Sequence, residues 1–145
     1  MKHAMFELIE EVSKARGGNK KVAKLKEIDP QYIKILLDIT YNPNFKWLIP
    51  EGAPTYNEAD DNYSVLKTRF YSELMKIGTY LNVGQYPNMN QIKRENLFRT
   101  TLERIHPEDA KLLIYIKDKR ELPGNIPMKV IQEVFPALSS KWVIK

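Results

Sequence analysis

Residues 96–138, NLFRTTLERIHPEDAKLLIYIKDKRELPGNIPMKVIQEVFPAL, decide the fold because they predict three successive helices. The apolar residues of the middle helix recur at helical spacing, at Ala110, Leu113 and Ile116. His106-Pro107 marks its start, since the N–H that proline lacks would be unpaired in a first turn anyway. Pro123-Gly124 follows the basic end of the helix and predicts the turn into the next one. Each helix therefore has one apolar face to bury.

The same pattern extends through the rest of the chain. Apolar residues at helical spacing are Met5, Leu8, Ile9 and Val12; Val22, Leu25 and Ile28; Ile33, Leu36 and Leu37; and Leu66, Phe70, Leu74 and Ile77. Asp29-Pro30 and Asn90 predict helix starts, and Asn42-Pro43 and Pro136 predict helix stops. No segment alternates apolar and polar residues as a strand does. The sequence predicts an all-α, irregular bundle of about seven helices that forms a single domain over residues 1–145.

Two segments fall outside this pattern. The first is a long loop at about residues 43–62, which carries acids but no base from Glu51 to Asp61 and has Trp47 as an apolar anchor. The second is a short C-terminal tail at 139–145. Trp142 in this tail either packs on the bundle or docks into a partner protein.

Composition places the chain among folded globular proteins, with 43% hydrophobic and 28% charged residues in a length of 145. It contains no cysteine, which excludes disulfides, thiol nucleophiles and iron–sulfur clusters. Apolar runs fall short of the roughly 20 residues that a membrane helix needs. We therefore expect no contact with a membrane and a cytoplasmic location.

Enzymatic motifs are missing from the sequence. There is no glycine-rich phosphate loop, and the two histidines, His3 and His106, lie far apart. Adjacent acids such as Glu108-Asp109 diverge on a helix and cannot readily share a proton or a metal ion. We expect no catalytic residue, no metal site and no cofactor.

Positive charge is concentrated in two segments of a chain with 23 basic and 18 acidic residues. Residues 14–26 contain six bases and no acid, and residues 111–129 contain five bases and two acids. If packing joined the two segments, they would form a surface for a polyanion. The turn at Gly124 adds a helix start whose free backbone N–H groups suit a phosphate. Alternatively, the lysines that end the preceding helix only offset its dipole.

Residues 96–138 also resemble the end of the all-helical DNA-binding domain that precedes the catalytic core of ATP-dependent DNA ligases, especially those of tailed phages. The shared features occur in the same order, as Lys117-Asp118, Gly124 and the run Phe135-Pro136-Ala137-Leu138. Residues 5–49 are similar to the opening of that domain, with a short helix, a glycine break and a lysine-bearing helix. The resemblance covers most of the chain.

This resemblance implies a module that lies against the minor groove of duplex DNA and holds the backbone on both sides of a nick, mainly through phosphates. It implies backbone contacts from Lys117, Gly124 and the helix start around Lys129. A second contact zone would be formed by Lys20, Lys21 and Lys24. The complete predicted DNA-binding set is Lys20, Lys21, Lys24, Lys117, Lys119, Arg120, Gly124, Asn125 and Lys129.

The ligase nucleophile belongs to a Lys-x-Asp-Gly motif, which this sequence lacks. We therefore expect a free-standing, non-enzymatic protein that binds double-stranded DNA, nicked duplex included, as an accessory in phage DNA replication or repair. A phage-encoded protein of this kind would act in the host cytoplasm. The alternative is a protein-interaction module or inhibitor that binds a host or phage replication protein through the acidic loop and the Trp142 tail.

Overall fold

The computed structural model describes residues 3–60 and 64–144, and the regular structure in these ranges is helical. The eight α-helices there are α1 (Met5–Lys14), α2 (Gly18–Lys26), α3 (Pro30–Tyr41), α4 (Ser64–Leu74), α5 (Gln91–Arg104), α6 (Pro107–Lys119), α7 (Met128–Val134) and α8 (Pro136–Ser139). A 3-10 helix spans Ile77–Tyr80, and one isolated bridge joins Trp47 to Leu81. Within the described ranges no strand forms, which confirms the predicted all-α, irregular bundle.

Three helices begin where the sequence predicts, because side chains there accept hydrogen bonds from first-turn N–H groups. The capping contacts are Asp29 Oδ1 with Gln31 N at 3.0 Å, Asn90 Oδ1 with Ile92 N at 2.9 Å, and His106 Nδ1 with Glu108 N at 3.1 Å. Pro136 differs from the expectation, since it ends α7 and also begins α8. Its fixed φ suits a first turn, where its missing N–H costs nothing.

The core forms where the apolar faces of the helices meet. Helix α6 lies against α1, α3 and α5, while α2 packs on α1 and α7. The largest fully buried side chains include Phe70, Phe98, Met5, Ile9, Leu25, Ile33, Leu36 and Leu102. The inward positions predicted for α6, Ala110, Leu113 and Ile116, are all 0% exposed. The helical periodicity of the sequence therefore predicted this core correctly.

The long loop contacts the bundle as far as Asn57, whose backbone N donates to Glu103 Oε2 at 2.8 Å, and the last predicted loop positions, 61 and 62, lie outside the described residues. Trp47 donates from Nε1 to Ile39 O at 3.3 Å, and its ring meets Phe98 edge-on at a centroid distance of 6.5 Å. Trp47 thus packs on the core as the sequence predicted for an apolar anchor.

Candidate nucleic-acid interface

Helices α2 and α7 pack on each other, so the first basic segment adjoins the end of the second one, where Lys129 lies. Lys20 and Lys24 are four residues apart on α2 and share one side of that helix. Lys129 lies in the first turn of α7, and all three side chains are exposed. Lys24 Nζ is 3.6 Å from the Glu27 carboxylate, in an exposed pair that solvent screens. Lys20, Lys24 and Lys129 are thus accessible cations on two helices that pack together.

Lys21, by contrast, points into the protein and is only 5% exposed. Its Nζ donates to Ser13 O at 2.6 Å and to Val12 O at 3.3 Å, at the C-terminal end of α1. The last carbonyls of a helix have no partner within the helix, and a cation there also offsets its dipole. Lys21 therefore joins α2 to the end of α1, and its ammonium group is not presented for a DNA contact.

The turn at Gly124 is built against the same end of α1. Asn125 N donates to Ser13 Oγ at 2.7 Å, and Gly124 has a φ of 84°. A Cβ on Gly124 would lie 2.2 Å from Ser13 Oγ, so only glycine fits. The sequence predicted a close backbone approach at Gly124, and in this structure the Ser13 side chain makes that approach. Ser13 was not anticipated, because a lone serine in a helix gives no sequence signal.

Lys117 is also turned inward, with a side chain that is 1% exposed. Its Nζ donates to Pro50 O at 2.8 Å and to Gly52 O at 3.1 Å, and it forms an ion pair with Asp118. Asp118 in turn accepts from Gly52 N at 3.1 Å. The Lys117-Asp118 pair therefore fastens the long loop to the end of α6, which occupies the donors that the predicted DNA contact would need.

Arg120 has a structural role at the end of α3. Its guanidinium donates to Ile39 O at 3.1 Å and to Asn42 O at 2.7 Å, and burial lowers the pKa of this group. Its φ of 58° is left-handed and ends α6. Lys119 precedes it and is exposed. The predicted cations that remain accessible are therefore Lys20, Lys24, Lys119 and Lys129. Lys20 and Lys24 lie on α2, which packs against the helix of Lys129, α7.

A groove of about 440 Å³ lies between α1 and α6 and reaches Gly124. Its apolar lining comes from Phe6, Ile9 and Leu112. The cations at its rim already have partners, Lys14 with Glu10 at 3.8 Å and Lys111 with Glu108 at 3.2 Å. The groove therefore presents mainly apolar surface. Because the lysines at its rim are paired with acids, it adds little positive charge to that of Lys20, Lys24 and Lys129.

Asp109 lies in the first turn of α6 and is 0% exposed. Its Oδ1 accepts from Phe6 N at 2.9 Å, while Oδ2 has no hydrogen-bond partner among the residues that the structure describes. Burial raises the pKa of Asp109 to about 7, and the nearby charges of Glu7 and Glu108 act in the same direction. The carboxyl group joins α6 to the first turn of α1, and no substrate could reach it in this buried position.

Residues 8–122 match DUF6433, a family of unknown function. The chain belongs to this family. No curated protein and no solved structure matches it. The matched range of this DUF6433 protein includes α2 and ends at Leu122, before the Gly124 turn and Lys129.

The described residues of the DUF6433 protein contain no cluster of metal ligands and no membrane-spanning helix. In residues 3–60 and 64–144, His, Asp and Glu side chains nowhere form a group of three or more that could hold a metal ion. The helices in the same ranges are too short or too polar to cross a membrane.

The C-terminal Trp142 of the DUF6433 protein packs on α3. Its Nε1 donates to Asp38 Oδ1 at 2.8 Å, and its ring lies 5.6 Å from that of Tyr41. Asn44 Nδ2 also donates to Val143 O at 2.8 Å. The packed alternative of the sequence analysis is the one that the structure contains, and the docking alternative would require Trp142 to leave these contacts.

A Trp142→Ala variant should lose about 2 kcal/mol of stability, because it gives up the ring contact and the Asp38 hydrogen bond at a half-buried position. Urea unfolding measures this loss. Ile144→Ala is the matched control, because Ile144 is 85% exposed and should leave stability unchanged. Equal stability of the Trp142 variant and the wild type would contradict the packed tail.

Proposed function

We propose that this DUF6433 protein is a non-catalytic, duplex-DNA-binding accessory protein in phage DNA replication or repair. Lysines on α2 and α7 hold the sugar–phosphate backbone beside the minor groove, at nicked or intact duplex. The observation that carries the proposal is the packing of α2 on α7, which puts Lys20 and Lys24 on a helix adjoining that of Lys129. The resemblance to the ligase DNA-binding domain supports the same conclusion from the sequence.

The electrostatics favour phosphate contacts over base readout. Helix α2 contains four lysines and no acid, and the whole chain carries a net charge of +5. A lysine that neutralises a phosphate releases condensed counterions, which drives binding at low salt without reading the sequence. The inward-facing Lys21 contributes indirectly, because it fixes α2 on the end of α1.

The absence of catalysis in the proposal follows from the residues present. The chain has no Lys-x-Asp-Gly nucleophile, and His106 serves as a helix cap through its Nδ1. Asp109 has a raised pKa but is sealed inside the bundle. A protein with these side chains can hold or shield a nick but has no evident means to seal it.

A Lys20→Glu/Lys129→Glu double variant should bind duplex DNA at least about tenfold more weakly at about 50 mM salt. Two lost phosphate contacts should also reduce the slope of log affinity against log salt by about 2. Fluorescence anisotropy on labelled nicked and intact duplexes of the same sequence measures both effects. A denaturing gel of the same mixtures should show the nick unsealed and the strands uncut.

The matched control is Lys76→Glu/Lys93→Glu, which changes the net charge equally on other elements and should bind DNA almost normally. Equal loss in both double variants would mean that only net charge matters, and the α2/α7 surface would be abandoned. Failure of the wild type to bind either duplex at low salt would reject the DNA-binding function itself.

A protein-interaction function is the second candidate. The Trp142 tail gives it little support because its ring is engaged with Tyr41. A different observation favours it, namely an exposed apolar surface at residues 75–86.

A further inference from the structure

Residues 75–86 form a second surface, here called the 75–86 surface, between the end of α4 and the start of α5. It carries three large apolar side chains that are about half exposed, Met75 (54%), Val83 (53%) and Tyr86 (52%). A groove of about 310 Å³ opens there and is lined by Met75, Lys76, Thr79 and Tyr86 together with Gly84. Met75 and Tyr86 thus border the groove, with Val83 next to Gly84 in the sequence, and exposed apolar side chains at a groove are typical of interaction sites.

The buried Arg94, which is 4% exposed, stabilises the backbone of the 75–86 surface. Its guanidinium donates through Nε to Thr79 O at 3.1 Å and through Nη2 to Tyr86 O. The backbone also closes on itself, since a Cβ on Gly84 would lie 1.8 Å from Gly78 O. A loop fixed in this way loses little conformational entropy when a partner binds.

The charge of this region selects the kind of partner. From Met75 to Arg94 the sequence contains no Asp or Glu, and its bases are Lys76, Lys93 and Arg94. Arg94 is used internally, so the exposed cations of this segment are Lys76, which lines the groove, and Lys93 in the first turn of α5. Complementarity therefore requires an occupant that is both apolar and acidic.

The apolar groups distinguish a protein from a nucleic acid. Surfaces that bind single strands present aromatic faces on which successive bases stack. Here Tyr86 is accompanied by Met75 and Val83, whose side chains have no aromatic face. Flexible methionines instead suit the apolar face of a helix, which is laid into a groove by its regularly spaced side chains.

We infer that the 75–86 surface of this DUF6433 protein docks an acidic amphipathic helix of a partner protein. The apolar face of that helix lies against Met75, Val83 and Tyr86, and its acids lie toward Lys76 and Lys93. This is a function beyond DNA binding, and it would let the protein hold DNA and a replication or repair protein at the same time.

The test uses a synthetic peptide of about 18 residues, long enough for a helix, with leucine on one face and glutamate on the other. Amide chemical shifts of the ¹⁵N-labelled protein are followed during titration. Changes should cluster at residues 75–86 with saturation in the micromolar range. A peptide with lysine in place of every glutamate should bind at least about tenfold more weakly.

Two variants make the test specific. Lys76→Glu should weaken the glutamate peptide about tenfold and strengthen the lysine peptide. Met75→Ser should weaken the binding of both peptides. Because Met75 is exposed, the substitution should leave the protein folded, so weaker binding would reflect the lost contact. Lys129→Glu is the control, because it lies on α7 and should leave both affinities unchanged.

Four results would overturn the inference. These are equal binding of both peptides, shift changes centred elsewhere than 75–86, no saturable binding of the glutamate peptide, and tighter binding of oligothymidylate than of the peptide at residues 75–86. A dimer at high protein concentration that Lys76→Glu abolishes would instead assign the surface to a second copy of the chain. Each of these results leaves the α2/α7 proposal to its own duplex-binding experiment.

Discussion

Replacing Lys117 by methionine should lower the free energy of unfolding by about 3 kcal/mol, because it removes one partner of a buried ion pair. Methionine preserves the apolar stem but leaves Pro50 O, Gly52 O and the Asp118 carboxylate without their ammonium donor. For a chain of this size the loss corresponds to a fall in Tm of about 10 °C. Thermal unfolding followed by circular dichroism measures it.

Control variants distinguish the loss of this buried ion pair from a general effect of removing one positive charge. Lys111→Met removes an exposed lysine paired with Glu108 on the same helix and should leave Tm unchanged. Lys117→Met/Asp118→Asn should be less destabilised than the two single variants together, since neither charge is then left alone. Amide exchange at Gly52 should accelerate in the Lys117 variant. A variant as stable as the wild type but weaker in DNA binding would show that Lys117 serves the duplex and not the loop.

An Asp109→Asn variant should lose less stability than the wild type as the pH rises from about 5 to about 8. The folded protein holds the Asp109 proton up to about pH 7, whereas the unfolded chain releases it near 3.8. Between these values the folded state binds the extra proton, so wild-type stability falls as pH rises and this contribution is constant above pH 7. Two pH units inside this window correspond to about 3 kcal/mol as an upper bound.

Asparagine keeps the oxygen that accepts from Phe6 N and has no proton to lose. Its amide nitrogen replaces the unpartnered Oδ2 and costs about 1–3 kcal/mol at every pH. The quantity to measure is therefore the difference between the variant and the wild type in urea unfolding at the two pH values, since titrating groups that do not interact with Asp109 cancel in it. Glu133→Gln is the control, because Glu133 is exposed and does not contribute to the raised pKa of Asp109. A difference that does not change with pH would show that Asp109 titrates normally.

Helix boundaries could be predicted because their causes lie within a few residues. Asp29, Asn90 and His106 each accept from an N–H two positions later, so the sequence contains both partners of the contact. The apolar faces follow the same logic, as helical spacing alone places Leu113 and Ile116 inward. The 3-10 helix at Ile77–Tyr80 was harder to predict from the sequence, because it accompanies a close approach of Gly78 and Gly84 that is not a contact between near neighbours.

The roles of the cations could not be predicted in the same way. The sequence shows how many lysines a segment contains but not which carbonyl lies within 3 Å of each. Lys21 meets Ser13 across a helix junction, and Lys117 meets Pro50 from 67 residues away. From the sequence we predicted that both lysines contact DNA, because an inward-facing lysine and an outward-facing lysine have the same charge and the same helical propensity.

What the sequence by itself determined is the all-α architecture, the principal helix starts and the presence of two basic segments, because caps, periodicity and charge are local properties. The tertiary structure decided that α2 adjoins α7, that Lys21, Lys117 and Arg120 face the protein, and that Met75 and Tyr86 share one groove. Those outcomes depend on the distance between groups far apart in the chain, and that distance is set only when the whole core packs.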